Sequence, residues 1–294
     1  MKAIIMAGGN GTRLYPLTKL INKHLIPVYD KPMIFYPITI LIAAGIKEFC
    51  LITKPNEKKI FQNFLGNGKN WGISIEYRVQ QRADGIASGL KIASDFINNS
   101  NVVLILGDNI FSGSNDIAKA INEFKSGATI FAYRVSNPSE YGVINFTPNG
   151  KATCVEEKPK EPKSRYAVPG IYIYDRRAVE FAKKLKPSSR GEYEITDINK
   201  KYLDLNDLWV KRLGRGFAWL DAGTIDDLSA ASTYIQTIEK RHGQKIGCPE
   251  EASLLVSNIN VREFEEIICS YPDGTYKDYL ISFLEEYVSD LKNN

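Results

Sequence analysis

Residues 2–18 read KAIIMAGGNGTRLYPLT. A short apolar run, 2–7, ends in a glycine-rich loop that carries one arginine, Arg13. The run has strand length and no polar face, as in a strand buried on both sides of a parallel sheet. The loop is not a Walker A sequence, because no Gly-Lys-Ser/Thr follows. It is not the dinucleotide fingerprint either: Gly9 and Gly11 fit, but Leu14 stands at the third glycine position. Pro16 pushes Tyr15 toward extended conformations, so no helix starts at once. Glycines still let backbone N–H groups approach an anion, and an arginine adds a bidentate donor. On spacing alone, a plain strand-to-helix turn with a surface arginine stays open.

Outward from this loop, strand-like and helix-like segments alternate. Segments 48–53, 73–79, 101–108 and 128–135 read as strands, and 33–45, 56–66, 83–97 and 115–125 as helices. That alternation predicts an α/β fold with a Rossmann-like, mostly parallel sheet flanked by helices. From 140 the pattern changes. Residues 140–159 predict a hairpin turning at TPNG, followed by a strand at 166–175, helices near 176–185 and 194–203, and a strand at 208–213. Thr224 is a candidate N-cap ahead of Asp226 and Asp227. Three short helical patterns follow residue 245. The simplest partition is a catalytic domain over 1–244, with an inserted β-hairpin region, and a helical C-terminal extension over 245–294.

Composition narrows the class. Of 294 residues 44% are apolar, which suits a globular domain with a sizeable core. The net charge of +4 is too mild to argue for nucleic acid or an anionic membrane. Four cysteines without a C-x-x-C pair, and two histidines, make a zinc site improbable and point to reduced thiols. The longest apolar stretch, 33–46, contains Pro37 and Thr39 and falls short of the ~20 residues that span a bilayer. With no secretory h-region after Met1, the expectation is a soluble, cytoplasmic protein.

Longer blocks carry a resemblance. GGNGTRLYPLTKLINKHLIPVYDKPMIFYP resembles the signature of the sugar-1-phosphate nucleotidylyltransferases, most of all its thymidylyl-transferring branch. GDNIFSG, EYGV, EEKPKEPKS, LKPSSRGEYEITDIN and GRGFAWLDAGT follow in that family's order. The resemblance covers most of the chain and weakens after about residue 255. It implies transfer of a thymidylyl group from dTTP to α-D-glucose 1-phosphate, giving dTDP-glucose and pyrophosphate by in-line displacement.

Roles then follow from the matched positions. Gly8, Gly9, Gly11 and Thr12 would cradle the triphosphate, with Arg13 and Lys23 at the reacting phosphates. Gln80 and Gly85 match the segment that reads the pyrimidine. Glu157 would hold sugar hydroxyls and Lys158 the sugar phosphate, with Tyr141, Gly142 and Val168 lining the sugar pocket. Asp108 and Asp221 would share one Mg²⁺. Two bare carboxylates ~4 Å apart repel by about 4 kcal/mol at an effective dielectric of ~20, so a shared cation is the physical reason to pair them. Read locally, Asp221 serves equally as a helix N-cap, and EEKPKEPK as a solvated loop. The resemblance also implies a homotetramer with a secondary nucleotide site, and a product that feeds deoxysugars such as dTDP-rhamnose for surface polysaccharides.

The chain departs from the pattern at His24, Gln81, Ser88, Pro169, Ala222 and Ile225. These leave two rivals: a UTP- or CTP-using relative, and an inactive sugar-nucleotide-binding regulator. The second is disfavoured by the presence of Arg13, Lys23, Asp108 and Asp221 together.

Overall fold

Along the strand Lys2–Ala7, alternate side chains enter two different cores. Ala3, Ile5 and Ala7 pack with Ile38, Leu41 and Phe61 on one face. Ile4 and Met6 pack with Leu90, Ile195 and Ile198 on the other. Both faces are therefore covered, which is why the run is apolar throughout. The computed structural model describes residues 1–113 and 115–293.

This strand sits inside a ten-stranded sheet. Lys2–Ala7 pairs in parallel with Glu48–Thr53 on one side and Val102–Leu106 on the other, and Ser74–Val79 extends the first side. Ile171–Tyr174 runs antiparallel between Val102–Leu106 and Ala128–Arg134. Leu208–Arg212 pairs in parallel with Ala128–Arg134. The chain leaves Lys2–Ala7 toward one neighbour and returns on the other side. A crevice opens at such a switch point, beyond the carboxyl ends of the strands. The glycine loop and Asp108 both lie there.

The predicted hairpin forms as Gly142–Phe146 and Ala152–Glu157, and it joins the edge of the main sheet through Tyr166–Ala167. The strand expected over 166–175 divides in two. Pro169 has no N–H to give a ladder, and the Gly170 N–H turns to Asn109 Oδ1 at 2.9 Å. The helix expected over 83–97 is also shorter, split into Ser88–Ile92 and Ser94–Ile97. Residues 83–87 remain a loop because Gly85, at φ 106°, is pinned beside Tyr193. The Tyr193 N–H donates to Asp84 O at 2.7 Å, and the Ala87 N–H to Tyr193 O at 3.2 Å.

Thr224 caps the long helix Ile225–His242, accepting from the Asp227 N–H at 3.2 Å. The tail forms helices Pro249–Leu255, Val261–Ser270 and Thr275–Asn293 around Leu254, Phe264, Ile268 and Leu280. A buried ion network fastens it to the main body. Lys31, 2% exposed, sits between Asp30 and Glu239, and Lys245 pairs with the same two carboxylates. Among the described residues no helix is long and apolar enough to cross a membrane.

Candidate active site

Two cavities meet at the carboxyl end of the central strands, with Asp108 in the wall of both. The first, about 360 Å³, is lined by Gly8, Gly9, Gly11, Thr12, Lys23, Gln80 and Gly85. Its floor is the glycine loop. Gly11 holds a left-handed conformation, φ 59°, and short 3-10 turns follow in place of an α-helix. A Cβ on Gly8 would lie 2.6 Å from Gln80 Oε1, and one on Gly9 would lie 3.3 Å from Lys23 Cε. The loop is thus glycine where it closes against the two side chains that reach into the cavity.

Gln80 is oriented by its neighbours. Its Nε2 donates to Asp84 Oδ1 at 2.9 Å, to Gly85 O at 3.2 Å and to Ser88 Oγ at 2.7 Å. A carboxylate and a carbonyl only accept, so the amide NH₂ must face them. That leaves Oε1 as the group beside Gly8. Ser88, one of the departures, donates in turn to Gly85 O at 2.7 Å and so secures this orientation.

Asp108 and Asp221 come together through a pairing that lies off the main sheet. Asn109–Ser112 runs antiparallel to Ala218–Asp221, with Asp221 opposite Asn109. The Ala222 N–H donates to Asp108 O at 3.2 Å. Asp221 therefore ends a strand, and the helix cap is Thr224, which removes the N-cap reading of Asp221. The Lys23 ammonium forms an ion pair with Asp108 Oδ2. Burial, the largest single influence, would raise the Asp108 carboxyl, but the Lys23 charge and hydrogen bond, with smaller contributions from His24 and the backbone, together outweigh it and hold the group well below the usual carboxylate range. Asp221 is pushed up to about 7, first by burial and then by the Asp108 charge, with Lys23 and Arg13 offsetting part of the rise. The Arg13 guanidinium passes over Gly223, where a Cβ would stand 2.8 Å from Nη2 and 3.2 Å from Asp221 Oδ1. Arg13 itself is open, its side chain 58% exposed and paired with Glu140 at 4.0 Å.

The two carboxylates suit a divalent cation. They are hard oxygen donors, and the repulsion that raises Asp221 is what a shared cation relieves. Among the described residues no group of three or more His, Cys, Asp or Glu side chains is placed to hold a metal. A cation here would therefore draw its remaining oxygens from substrate and water.

The second cavity, about 170 Å³, is lined by Arg13, Asp108, Asp221, Tyr141, Gly142, Glu157, Lys158 and Val168. Tyr141 stacks edge-on against Trp219 at 4.9 Å, and burial pushes its hydroxyl up to about 12. Glu157 accepts from Thr196 Oγ1 at 2.5 Å. Burial raises its carboxyl, and the Thr196 bond opposes that rise. Lys158 lies in the left-handed region, φ 42°, which costs a non-glycine residue roughly 1 kcal/mol. Its side chain is exposed, and its charge helps to lower the neighbouring Glu157 carboxyl.

Comparison with known proteins places this arrangement. Residues 2–238 match the family model described as Nucleotidyl transferase. A glucose-1-phosphate thymidylyltransferase of Neisseria meningitidis is 47% identical over 97% of this chain and 100% of its own length. The chain belongs to the nucleotidyl transferase family, among its glucose-1-phosphate thymidylyltransferases. The enzyme of that name from Mycobacterium tuberculosis is 46% identical over 97% of this chain and 99% of its own. A Bacillus anthracis protein assigned as a glucose-1-phosphate thymidylyltransferase, solved with sucrose, superposes with a TM-score of 0.74 at 44% identity, over 80% of this chain and 94% of that one. A UDP-glucose pyrophosphorylase solved with UDP-glucose shares the fold, with a TM-score of 0.70 at 22% identity, over 81% of this chain and 98% of that one.

In this nucleotidyltransferase every residue to which the resemblance gave a binding or catalytic role lines one of the two cavities. Sequence reading assigned no role to Asn109, which donates to Asp108 Oδ1 at 3.3 Å and accepts from Trp219 Nε1 at 2.7 Å. It also missed Arg190, which donates to Glu194 Oε2 at 2.8 Å and reaches Glu157 Oε1 at 3.4 Å. Both lie in blocks that carried the resemblance, GDNIFSG and LKPSSRGEYEITDIN, and that was the only signal available.

Proposed function

We propose that this enzyme transfers a thymidylyl group from dTTP to α-D-glucose 1-phosphate, releasing pyrophosphate. The observation that carries the reading is the junction at Asp108: the loop-floored cavity and the smaller cavity beside Tyr141 and Glu157 open onto one point, where Lys23, Arg13 and Asp221 converge. A phosphate oxygen of the sugar phosphate attacks the α-phosphorus of the nucleotide. The P–O bond to pyrophosphate breaks on the opposite side. The attacking oxygen is already anionic at neutral pH, so no base is required. The work of the protein is to align two polyanions and balance their charge.

Each side chain has a part in that alignment. The glycine loop holds the β- and γ-phosphates, while Lys23 and Arg13 meet the charge that develops around the α-phosphorus. Lys158 steers the sugar phosphate, and Glu157 accepts from sugar hydroxyls. Asp108 and Asp221 would hold Mg²⁺, which when bound supplies positive charge to the phosphate oxygens.

Gln80 Oε1, the acceptor beside Gly8, favours a base with an imide N–H. Thymine and uracil carry one; cytosine presents a bare nitrogen there and meets lone pair with lone pair. A pocket resolves one methyl by only ~10–200-fold, so UTP stands as the second substrate. Pyrophosphate release with glucose 1-phosphate, Mg²⁺ and each of dTTP, UTP, CTP, ATP and GTP tests the assignment. Turnover is expected to be highest with dTTP, measurable with UTP and absent with CTP; faster release with CTP refutes it. Arg13→Ala is expected to lower kcat by about 10²-fold, the loss typical of one transition-state donor. Near-normal kcat in that variant would exclude Arg13 from the chemistry.

A further inference from the structure

The side chains assigned to chemistry and those assigned to binding stand on different cores. Ala87, Val155, Val168 and Ile195, near Gly85, Glu157 and Thr196, belong to the core on one face of the main sheet. A third, smaller cluster lies behind the reacting groups. It contains Leu14, Ile26, Ile110 and Ala222, which closely follow Arg13, Lys23, Asp108 and Asp221 in the chain. The helix Ile225–His242 closes this cluster with Leu228, Ala231 and Ile235.

Apolar burial is non-directional, so this packing alone leaves the helix free to slide and turn on its apolar stripe. A buried polar link sets its position. Lys31, 2% exposed, donates to Glu239 Oε1 at 2.8 Å, and Glu239 is 6% exposed. Lys31 also pairs with Asp30 at 2.5 Å and lies over the Tyr36 ring at 5.3 Å. Each end of the link is tied to a reacting group. On the Lys31 side, the Met33 N–H donates to Ile26 O at 3.0 Å and the Ile34 N–H to His24 O at 2.9 Å. These bonds grip the 3-10 turn Lys23–Leu25. On the Glu239 side, the helix runs back about 22 Å, at ~1.5 Å per residue, to its Thr224 cap just beyond Asp221. Between the two, the Tyr29 N–H donates to Ser232 Oγ at 3.2 Å. Lys245 meets the same two carboxylates from the tail and lies outside this path.

We propose that the Lys31–Glu239 pair is a positioning element for the reaction: it sets the long helix against the Lys23 turn, and so places Asp221 relative to Lys23 and Asp108. This rests on the reaction proposed above. Desolvation offsets most of the stability that a buried ion pair brings, so the contribution here is one of position. The pair touches no substrate, and base and sugar are held from another core. Its loss is therefore read in kcat rather than in KM.

The test compares wild type, Lys31→Met, Lys245→Met and the double variant Lys31→Met/Glu239→Gln. Each is assayed by pyrophosphate release from dTTP and glucose 1-phosphate, at a temperature where its unfolding curve shows it folded. Lys31→Met leaves Asp30 and Glu239 to share Lys245, so it is expected to melt lower. Its kcat is expected to fall about 10- to 10²-fold, the scale of an ångström of misplacement, with both KM values within about threefold of wild type. The double variant removes one stranded charge and is expected to regain most of the melting temperature while kcat stays low. Lys245→Met keeps the link and is expected to keep kcat within about twofold.

A purely structural role gives a different pattern. If kcat returns with the melting temperature in the double variant, or never falls in folded Lys31→Met, the proposal is overturned. Equal losses of kcat in Lys31→Met and Lys245→Met also overturn it, because they assign the network to the tail alone. So does a rise in KM with kcat unchanged. Hydrogen exchange needs no substrate. In Lys31→Met the amides of 22–28 and 218–224 are expected to exchange faster, with those of Lys2–Ala7 and Val102–Leu106 unchanged. Faster exchange confined to 245–293 overturns the proposal as well. If the wild type does not turn over dTTP, the substrate assignment fails instead, and the exchange measurement still decides the role of the pair.

Discussion

Lys23→Ala is expected to lose both turnover and stability. The ammonium serves two ends: it faces the reacting phosphates and it neutralises Asp108, which is 7% exposed. Losing a transition-state cation lowers kcat by roughly 10²–10³-fold. Leaving a buried carboxylate without its partner costs about 3–5 kcal/mol. After the substitution the Asn109 amide, at 3.3 Å, remains as a side-chain donor to that carboxylate. Pyrophosphate release and urea unfolding on the same preparation separate the two effects. Normal turnover would take Lys23 away from the phosphates. Unchanged unfolding would mean that the Asp108 carboxylate finds solvent or a proton once the lysine is gone.

Asp221→Asn is expected to split what Lys23→Ala couples. The Asp221 carboxyl is destabilised where it stands, by burial and by Asp108 beside it, with Arg13 and Lys23 compensating in part. A neutral isostere removes that repulsion, so the melting temperature should stay level or rise. Activity should fall about 10²-fold, because about 3 kcal/mol of cation-dependent charge stabilisation corresponds to that factor. The Mg²⁺ concentration for half-maximal rate should rise as well. The pair of variants is informative together: a buried ion pair is costly to halve, while two like charges are costly to keep. A clear loss of stability in Asp221→Asn would show that the carboxylate holds a structural bond and would weaken its assignment to a cation.

The two results differ because the two aspartates are legible to different degrees. Asp108 closes an apolar strand at the carboxyl edge of a parallel sheet, where ligands collect, and this can be read from the run VVLILGD. Asp221 precedes a capped helix, and its local sequence supports a cap as well as a ligand. What decides it is the pairing of Ala218–Asp221 with Asn109–Ser112. That register depends on core packing between segments far apart in the chain, and no local pattern encodes it. The shortened helix at 88–92 fails in prediction for the same kind of reason. Its apolar spacing is helical, but Gly85 is drawn into a left-handed turn against the Tyr193 backbone from another part of the fold.

By itself the sequence determined the alternating α/β plan, the hairpin, the Thr224 cap and the set of cations and carboxylates available for phosphate chemistry. Those follow from periodicity, turn residues and side-chain type, which are local properties. The tertiary structure decided how they act. It set which carboxylate Lys23 neutralises, which atom of Gln80 faces the glycine loop, and that Asp221 meets Asp108. Each of these depends on a hydrogen bond or a strand register between distant segments. The free energy of such contacts exists only once the chain has closed around them.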